Sequence, residues 1–522
     1  MRIILYPKAD GSVRRISKRQ CIIVKPLQHI LILGGGSAGW MTAAALGKLL
    51  DTSKTAVTLV ESDDIGTVGV GEATIPQLML YNDLIGLDED EFVRETGGTF
   101  KLGIQFTDWD KIGSKYFHAF GELGKNMEGV HFYQYWLRMQ QQGHAGDLDD
   151  YSLASQACLQ KKFMRPIDAG NSPLSKIAYA FHFDAGLYAR YLRKLAEGWG
   201  VRRIEGKVDT VQQHENGDIA SVTLENGDKL EADFFIDCSG FRALLIEQTL
   251  NAGFDDWQHW LPCDRAVTVG TARNGEPWPF TRAAAQKAGW QWRIPLQHRT
   301  GNGHVYSSKF ISDDEALDIL KSNLDGDMLG KPRLIKFRTG MRRKSWSHNC
   351  LAVGLSSGFM EPLESTSLHL IQVAISKFFS FFPHQGQSQQ DVDEFNRQMC
   401  FEYEAIRDFL ILHYHATSRT DTPFWRYCKT MDIPDELQRK MDLFEENGRI
   451  FRFNNELFND ISWFEVMYGQ GLRPKGYHAL ANRYTDEQLA HRLEEIRGVI
   501  RRSADYMPSH DEYIREHCQM TE

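Results

Sequence analysis

An unbroken apolar run, Ile30-Leu31-Ile32-Leu33, stops at Gly34-Gly35-Gly36-Ser37-Ala38-Gly39-Trp40 and resumes as a helix through Met41-Thr42-Ala43-Ala44-Ala45-Leu46. A second apolar run, Ala56-Val57-Thr58-Leu59-Val60, ends at Glu61. Strand, glycine turn, helix and strand predict a βαβ unit of a parallel sheet. Gly34, Gly36 and Gly39 fit G-x-G-x-x-G. The first allows the sharp turn, the second lets backbone approach a pyrophosphate, and the third packs helix on strand. The helix start at Ser37 and Ala38 turns free N–H groups toward the phosphates. Glu61 lies about 22 residues past Gly39, where an acid meets ribose hydroxyls. These positions predict dinucleotide binding.

Small residues and a proline at Gly69-Val70-Gly71-Glu72-Ala73-Thr74-Ile75-Pro76 predict a loop able to lie against a ligand. Gly97 to Phe106 reads as one strand, with apolar alternation from Leu102; on pattern alone Lys101 belongs to a solvated face. Trp109, Tyr116, Phe117, His118 and Phe120 cluster around it. Residues 126–200 read as mainly helical. Residues 201–240 alternate and turn at Asn216-Gly217 and Asn226-Gly227, which predicts hairpins. Phe234-Phe235-Ile236-Asp237 is an apolar strand running into Cys238-Ser239-Gly240, a second approach of backbone to a cofactor. An inserted β-meander of this kind is typical of flavoprotein monooxygenases, by fold-level analogy. Leu351 to Phe359 repeats the design and leads through Met360-Glu361-Pro362-Leu363-Glu364-Ser365-Thr366-Ser367 into an apolar helix. Ser and Thr there are expected N-caps, and Glu364 reads as an acid at a helix start. From about residue 390 the pattern is helices and loops.

The 522 residues are 42% hydrophobic and 25% charged, an ordinary globular composition. A net charge of −9 argues against a nucleic-acid surface, and no apolar run approaches the roughly 18 residues of a membrane helix. Cysteines 21, 158, 238, 263, 350, 400, 428 and 518 form no CxxC pair, which argues against zinc and disulfides; no metal is expected, and a cytoplasmic setting is. Residues 1–28 form a basic extension expected to be poorly ordered.

Gly34–Trp40 (GGGSAGW), the Gly69–Pro76 loop, Phe100-Lys101, Asp237–Gly240, the Trp290-Gln291-Trp292-Arg293-Ile294-Pro295 segment, Glu361–Thr366 (EPLEST) and Asp421–Trp425 occur in this order. Together they closely resemble the flavin-dependent tryptophan halogenases, from about Ile30 to near the C-terminus. The W-x-W-x-I-P segment is the most specific part. The resemblance implies an α/β fold: a Rossmann-type FAD-binding domain with inserted β-meander and a helical substrate module, divided as 29–390 for the FAD-binding module with interleaved pocket segments and 391–522 for the helical substrate module. It implies that a separate flavin reductase supplies reduced FAD, which with O2 and halide yields hypohalous acid. Lys101 would then bond the acid or become a haloamine, and Glu364 would orient the oxidant and stabilise the cationic ring. It also implies halide at the backbone of Thr366-Ser367, and FAD contacts at Ala73, Val208, Leu355 and Leu368. His118, Phe120 and Phe458 would line the aromatic pocket, and Trp290 and Trp292 would keep substrate from the flavin. A homodimer is one option for the assembly. Rival readings are a flavin monooxygenase or oxidoreductase on this scaffold and a non-catalytic FAD-binding protein.

Two departures change the expectation. Well-known members read Thr-Gly where this chain has Thr366-Ser367, which leaves the preference between chloride and bromide open. Members acting on free tryptophan grip the amino acid with a Tyr-Tyr pair and a Glu before a Phe-Trp. Here that stretch is Glu446-Asn447-Gly448-Arg449-Ile450-Phe451-Arg452-Phe453, and the Phe-Trp position reads Leu457-Phe458. An indole, substituted indole, peptide-borne indole or other electron-rich ring is the expected substrate.

Overall fold

The computed structural model describes residues 25–64, 71–386 and 388–521. The basic stretch up to residue 24 lies outside the described residues, as do Gly69 and Val70 of the expected loop. Lys25–Pro26, at the end of the basic extension, pairs with His384–Gln385.

His29–Leu33 and Phe234–Asp237 are the centre of a six-stranded sheet. Cys350–Ala352 and then Trp346–Ser347 lie on one side, Ala56–Glu61 and then Arg202–Glu205 on the other. All neighbours run parallel except the hairpin at the Trp346 edge. Strands covered on both faces need continuous apolar sequence, and Ile30, Leu31 and Ile32 are fully buried. The turn after Leu33 depends on two glycines. Gly34 has φ +112°, and a Cβ there would lie 2.2 Å from the Cys238 carbonyl oxygen. A Cβ on Gly39 would lie 1.8 Å from the Gly34 carbonyl oxygen. Gly39→Ala is therefore expected to force the Ser37–Leu49 helix off the sheet at a cost of about 1–3 kcal/mol, and to weaken flavin binding. Thermal melting and a flavin fluorescence titration check both effects.

A second, seven-stranded sheet carries Gly289–Pro295 at its middle. The order is Met328–Lys336, Arg265–Ala272, Arg299–Tyr306, Gly289–Pro295, Thr281–Gln286, Gly103–Thr107 and Lys115–Ala119. The predicted strand over 97–106 is in fact two. Thr99–Lys101 pairs with Ala180–Phe183 in a small third sheet that also holds Glu72–Ala73, whereas Gly103–Thr107 joins the seven-stranded sheet. Leu102 is the corner: its N–H donates to the Pro279 carbonyl and its carbonyl accepts from Phe120 N. Lys101 thus sits where the chain changes sheets, and it is fully buried. The solvated-face expectation fails because both faces of that corner are covered. Ala180–Phe183 is also a strand that the helical reading of 126–200 passed over. The hairpins at Asn216-Gly217 and Asn226-Gly227 form as expected.

Helices dominate after His384–Gln385. The long Gln389–His415 helix packs on Ser367–Ser380, and Asp460–Gly469 packs on the edge strand Lys115–Ala119. There the buried Glu465 accepts from Ala119 N at 2.9 Å, taking the place of a further strand. Late residues therefore reach the strand that carries His118.

Candidate active site

A cavity of about 610 Å³ runs along the glycine turn. Of the residues expected to touch a dinucleotide, Gly34, Gly36, Ser37, Ala38, Glu61, Ala73, Val208, Leu355 and Leu368 line it. Gly39 stands behind them, under the turn. The helix N-cap, Gly36, makes no side-chain cap, and the first turn holds no acid. Its N–H groups therefore stay free for an anion. Glu61 ends its strand at the cavity and accepts from Arg203 Nε at 2.6 Å. Gly35, which the G-x-G-x-x-G pattern leaves unassigned, also matters: a Cβ there would overlap the Glu61 carboxylate. Pyrophosphate and ribose recognition both fit this end.

The other end of the cavity meets Trp292, Pro362, Ser365 and Ser367. Thr366 precedes the Ser367–Ser380 helix with φ −93° and ψ −4°, and its hydroxyl makes no cap. This corrects the N-cap expectation: the helix start is left open rather than closed by Ser or Thr. Ser367 thus leads a helix N-terminus with no acid in its first turn, which fits a small anion.

Lys101 stands between this cavity, which it reaches through Ser365, and the Phe120 ring. Its Nζ donates to the Thr74 carbonyl at 2.8 Å and to Ser365 Oγ at 2.9 Å, and lies 5.2 Å from the Phe120 ring centroid. Burial lowers its pKa from 10.5 to about 7, against the pull of the Glu364 charge. Ser365 holds a left-handed backbone, φ +58°, although it is not glycine. That strain aims its hydroxyl at the amine while the residue also lines the cofactor cavity. Neither Thr74 nor Ser365 was singled out as a site residue in the sequence.

Glu364, one residue earlier, is fully buried between two imidazoles. His118 Nδ1 lies 2.8 Å from Oε2, and His413 Nε2 lies 2.8 Å from Oε1 at an angle outside hydrogen-bond geometry. Burial would raise the carboxyl pKa, but the two histidines overcome it and hold the value at about 2. His413 Nδ1 faces the Phe409 carbonyl at 2.8 Å. A carbonyl only accepts, so Nδ1 carries a proton and Nε2 is the ring nitrogen that faces the carboxylate. His413 had a sequence signal of its own, a lone histidine in the apolar stretch Leu410-Ile411-Leu412-His413-Tyr414.

Aromatic rings pack against the two histidines. Phe458 stacks on Phe409 with centroids 3.8 Å apart, and His118 lies 6.0 Å from Phe458. Phe120 clusters with Ile75, Ala180, Ala178 and Leu457. Next to Leu457, Glu456 is buried and bonded at 2.7 Å by Lys440 Nζ, which sits 4.3 Å from the Trp463 ring centroid. Trp290 and Trp292 come from the middle strand of the seven-stranded sheet, 6.0 Å apart. Trp292 reaches the cofactor cavity, whereas Trp290 is buried behind it.

Residues 29–486 match the family model for tryptophan halogenase. The chain belongs to the tryptophan halogenase family. It is 35% identical to the tryptophan 7-halogenase RebH of Lentzea aerocolonigenes, over 94% of this chain and 98% of that one. A flavin-dependent halogenase from Xanthomonas campestris superposes with a TM-score of 0.92 at 47% identity, covering 95% of this chain and 99% of the other. BrvH, a flavin-dependent halogenase from Brevundimonas sp. BAL3, does so at 0.91 and 43% identity, covering 94% and 99%. The protein is a flavin-dependent halogenase of aromatic substrates, with reduced FAD and halide as its cofactors. The flavin-dependent halogenases work with a separate flavin reductase. Among the described residues, no helix is long and apolar enough to cross a membrane.

Proposed function

We propose that this halogenase acts through Lys101 and Glu364 on an uncharged, electron-rich ring of the indole class. The observation that carries the reading is the bridge at Ser365: it borders the cofactor cavity and touches a buried amine. Reduced FAD and O2, when bound, supply the oxidising power that turns halide into hypohalous acid. The open helix start at Thr366-Ser367 holds the halide by backbone N–H groups. Lys101 receives the acid, either as a hydrogen-bond donor or, from its neutral form, as an amine that takes the halogen. The ring gives up one proton and gains one halogen, and water leaves. Glu364 faces the positive charge that develops on the ring and receives its proton, with His118 and His413 keeping the carboxylate ionised. Trp292 closes the cofactor side against the substrate. The helical 391–522 module contributes the His413 and Phe458 side of the pocket, and the FAD module of 29–390 the rest. The free described thiols fit a reducing, cytoplasmic setting.

The substrate class follows from what the pocket lacks. No tyrosine pair stands before Leu457-Phe458, and the nearby carboxylate of Glu456 is already neutralised by Lys440. An ammonium and a carboxylate entering here each lose a charge-assisted hydrogen bond, about 1.5–3 kcal/mol apiece. Indole or a peptide-borne indole is expected to exceed free tryptophan in kcat/KM by about 100-fold or more. The assay uses protein, FAD, a flavin reductase system and bromide with an indole panel, read by the bromine isotope pattern in mass spectrometry. A micromolar KM for free tryptophan sinks the substrate reading. Hydroxylated product sinks the halogenase assignment of Lys101 and Glu364.

A further inference from the structure

We propose that Trp292, Trp290, Trp109 and Tyr414 form a redox chain that drains stray oxidising equivalents from the cofactor cavity toward the surface, with Glu361 taking the phenolic proton of Tyr414. The proposal relies on the flavin-halogenase reading only for the oxidant. Trp292 borders the cavity. From it the ring centroids follow at 6.0 Å to Trp290, 6.4 Å to Trp109 and 5.3 Å to Tyr414. All four rings are buried. Indole and phenol are the most easily oxidised aromatic side chains, and electrons tunnel rapidly between rings in contact.

A core rich in aromatics is ordinary. The far end of this chain is not. The Tyr414 hydroxyl donates to Glu361 Oε1, while Oε2 of this fully buried carboxyl has no partner. An oxidised phenol must lose its proton, and an acceptor already in hydrogen-bond contact removes that barrier. Burial raises the Glu361 pKa to about 7 against the opposing hydrogen bond from Tyr414, so the carboxylate can hold the proton. Beyond Tyr414, ring contacts continue at 6.0 Å to Phe424, 5.5 Å to Phe310 and 6.1 Å to Tyr427. Tyr427 is exposed, where a small-molecule thiol can reach it. Glu361 belongs to the EPLEST segment, yet the halogenation chemistry leaves it without a task.

The need is chemical. Hypohalous acid that meets no substrate attacks thiols, thioethers and indoles. Its reduction takes two electrons and one proton and gives halide and water. The chain supplies the electrons one at a time. In each pass Tyr414 loses an electron to Trp109 and its proton to Glu361. An electron from a thiol at Tyr427 and the proton returned by Glu361 restore the phenol. Two passes turn two thiols into one disulfide and two protons in water, and water supplies the one proton that the hypohalous acid consumes.

The test loads the whole protein with oxidised FAD, confirms binding from the flavin absorption spectrum, and follows a blue flash by transient absorption. Excited FAD takes an electron from Trp292, an indole radical forms, and a tyrosyl band grows as it decays. Tyr414→Phe is expected to lose the tyrosyl band and to shorten charge recombination several-fold. Glu361→Gln keeps the phenol but slows tyrosyl growth several-fold. Trp109→Phe interrupts the chain elsewhere and guards against a folding artefact at Tyr414; circular dichroism verifies each variant. Substrate-free turnover with reduced FAD, O2 and bromide is expected to inactivate Trp109→Phe several-fold faster than the parent. A tyrosyl band that survives Tyr414→Phe, or bound FAD whose flash yields no indole radical, overturns the chain. Equal inactivation rates overturn its protective role. Failure of FAD to bind shows in the spectrum before the flash and counts instead against the cofactor reading.

Discussion

Lys101→Met is expected to abolish halogenation while making the protein more stable at neutral pH. The activity side follows from placement. The amine is fixed by both the Thr74 carbonyl and Ser365 Oγ, between the cofactor cavity that Ser365 lines and the Phe120 ring. Losing a positioned group of this kind costs roughly 10²–10⁴-fold in kcat. Flavin binding is expected to persist, because Lys101 is not part of the cavity wall. The stability side follows from linkage. Burial lowers the lysine pKa from 10.5 to about 7 in the folded protein. Between those values the unfolded chain binds more protons than the native one, so stability rises with pH from about 7 to 10.5. The deficit is largest below pH 7, where folding must bury a charge that water would solvate. Methionine fills the same space without it. Melting curves from pH 6 to 10 are expected to show the variant's advantage shrinking as pH rises. In the parent, bromination is expected to rise through about pH 7 as the neutral amine, the better nucleophile, becomes populated. A Lys101→Met protein that still brominates indole removes Lys101 from the mechanism, and a flat pH profile removes the haloamine route and leaves the amine only a hydrogen-bonding role.

Much of the cofactor end was legible in the sequence because it is local. Strand, turn, helix and acid fall within Ile30 to Glu61, and each glycine answers to a neighbour a few residues away or to the strand beside it. The amine end was not. Four points of contact for Lys101 and Glu364, namely Thr74, Ser365, His118 and His413, come from four separate stretches, and a pattern along the chain carries no record of which meet. Lys101 looked solvated because a three-residue strand and a five-residue strand, separated only by Leu102, read as one. Ala180–Phe183 was missed for a related reason, being four residues between helices. Resemblance supplied Lys101 and Glu364 as candidates. It did not supply the histidine pair, which is visible only once the Gln389–His415 helix is laid against the EPLEST segment.

Glu364→Gln separates the charge of that carboxylate from its shape. His118 Nδ1 approaches Oε2 at 2.8 Å, and a glutamine oxygen can still accept there. On the other side, His413 spends its Nδ1 proton on the Phe409 carbonyl. A glutamine amide can donate to the His413 Nε2 that faces it. The variant is therefore expected to fold and bind flavin like the parent. What it lacks is the negative charge facing the ring as its cationic intermediate forms, and a base to take the ring proton. Removing one such group from a buried site costs about 10²–10³-fold in kcat, with KM little changed because the ground-state ring is uncharged. Acid stability gives an independent reading. The carboxyl is held at about 2 against an ordinary 4.5. It therefore contributes stability above pH 4.5 that is lost as pH falls toward 2. The parent's melting temperature is expected to drop through that window more steeply than the variant's. Equal acid profiles would mean that the charge of Glu364 adds nothing to stability, and full activity in the variant would leave the ring cation to be stabilised by another group.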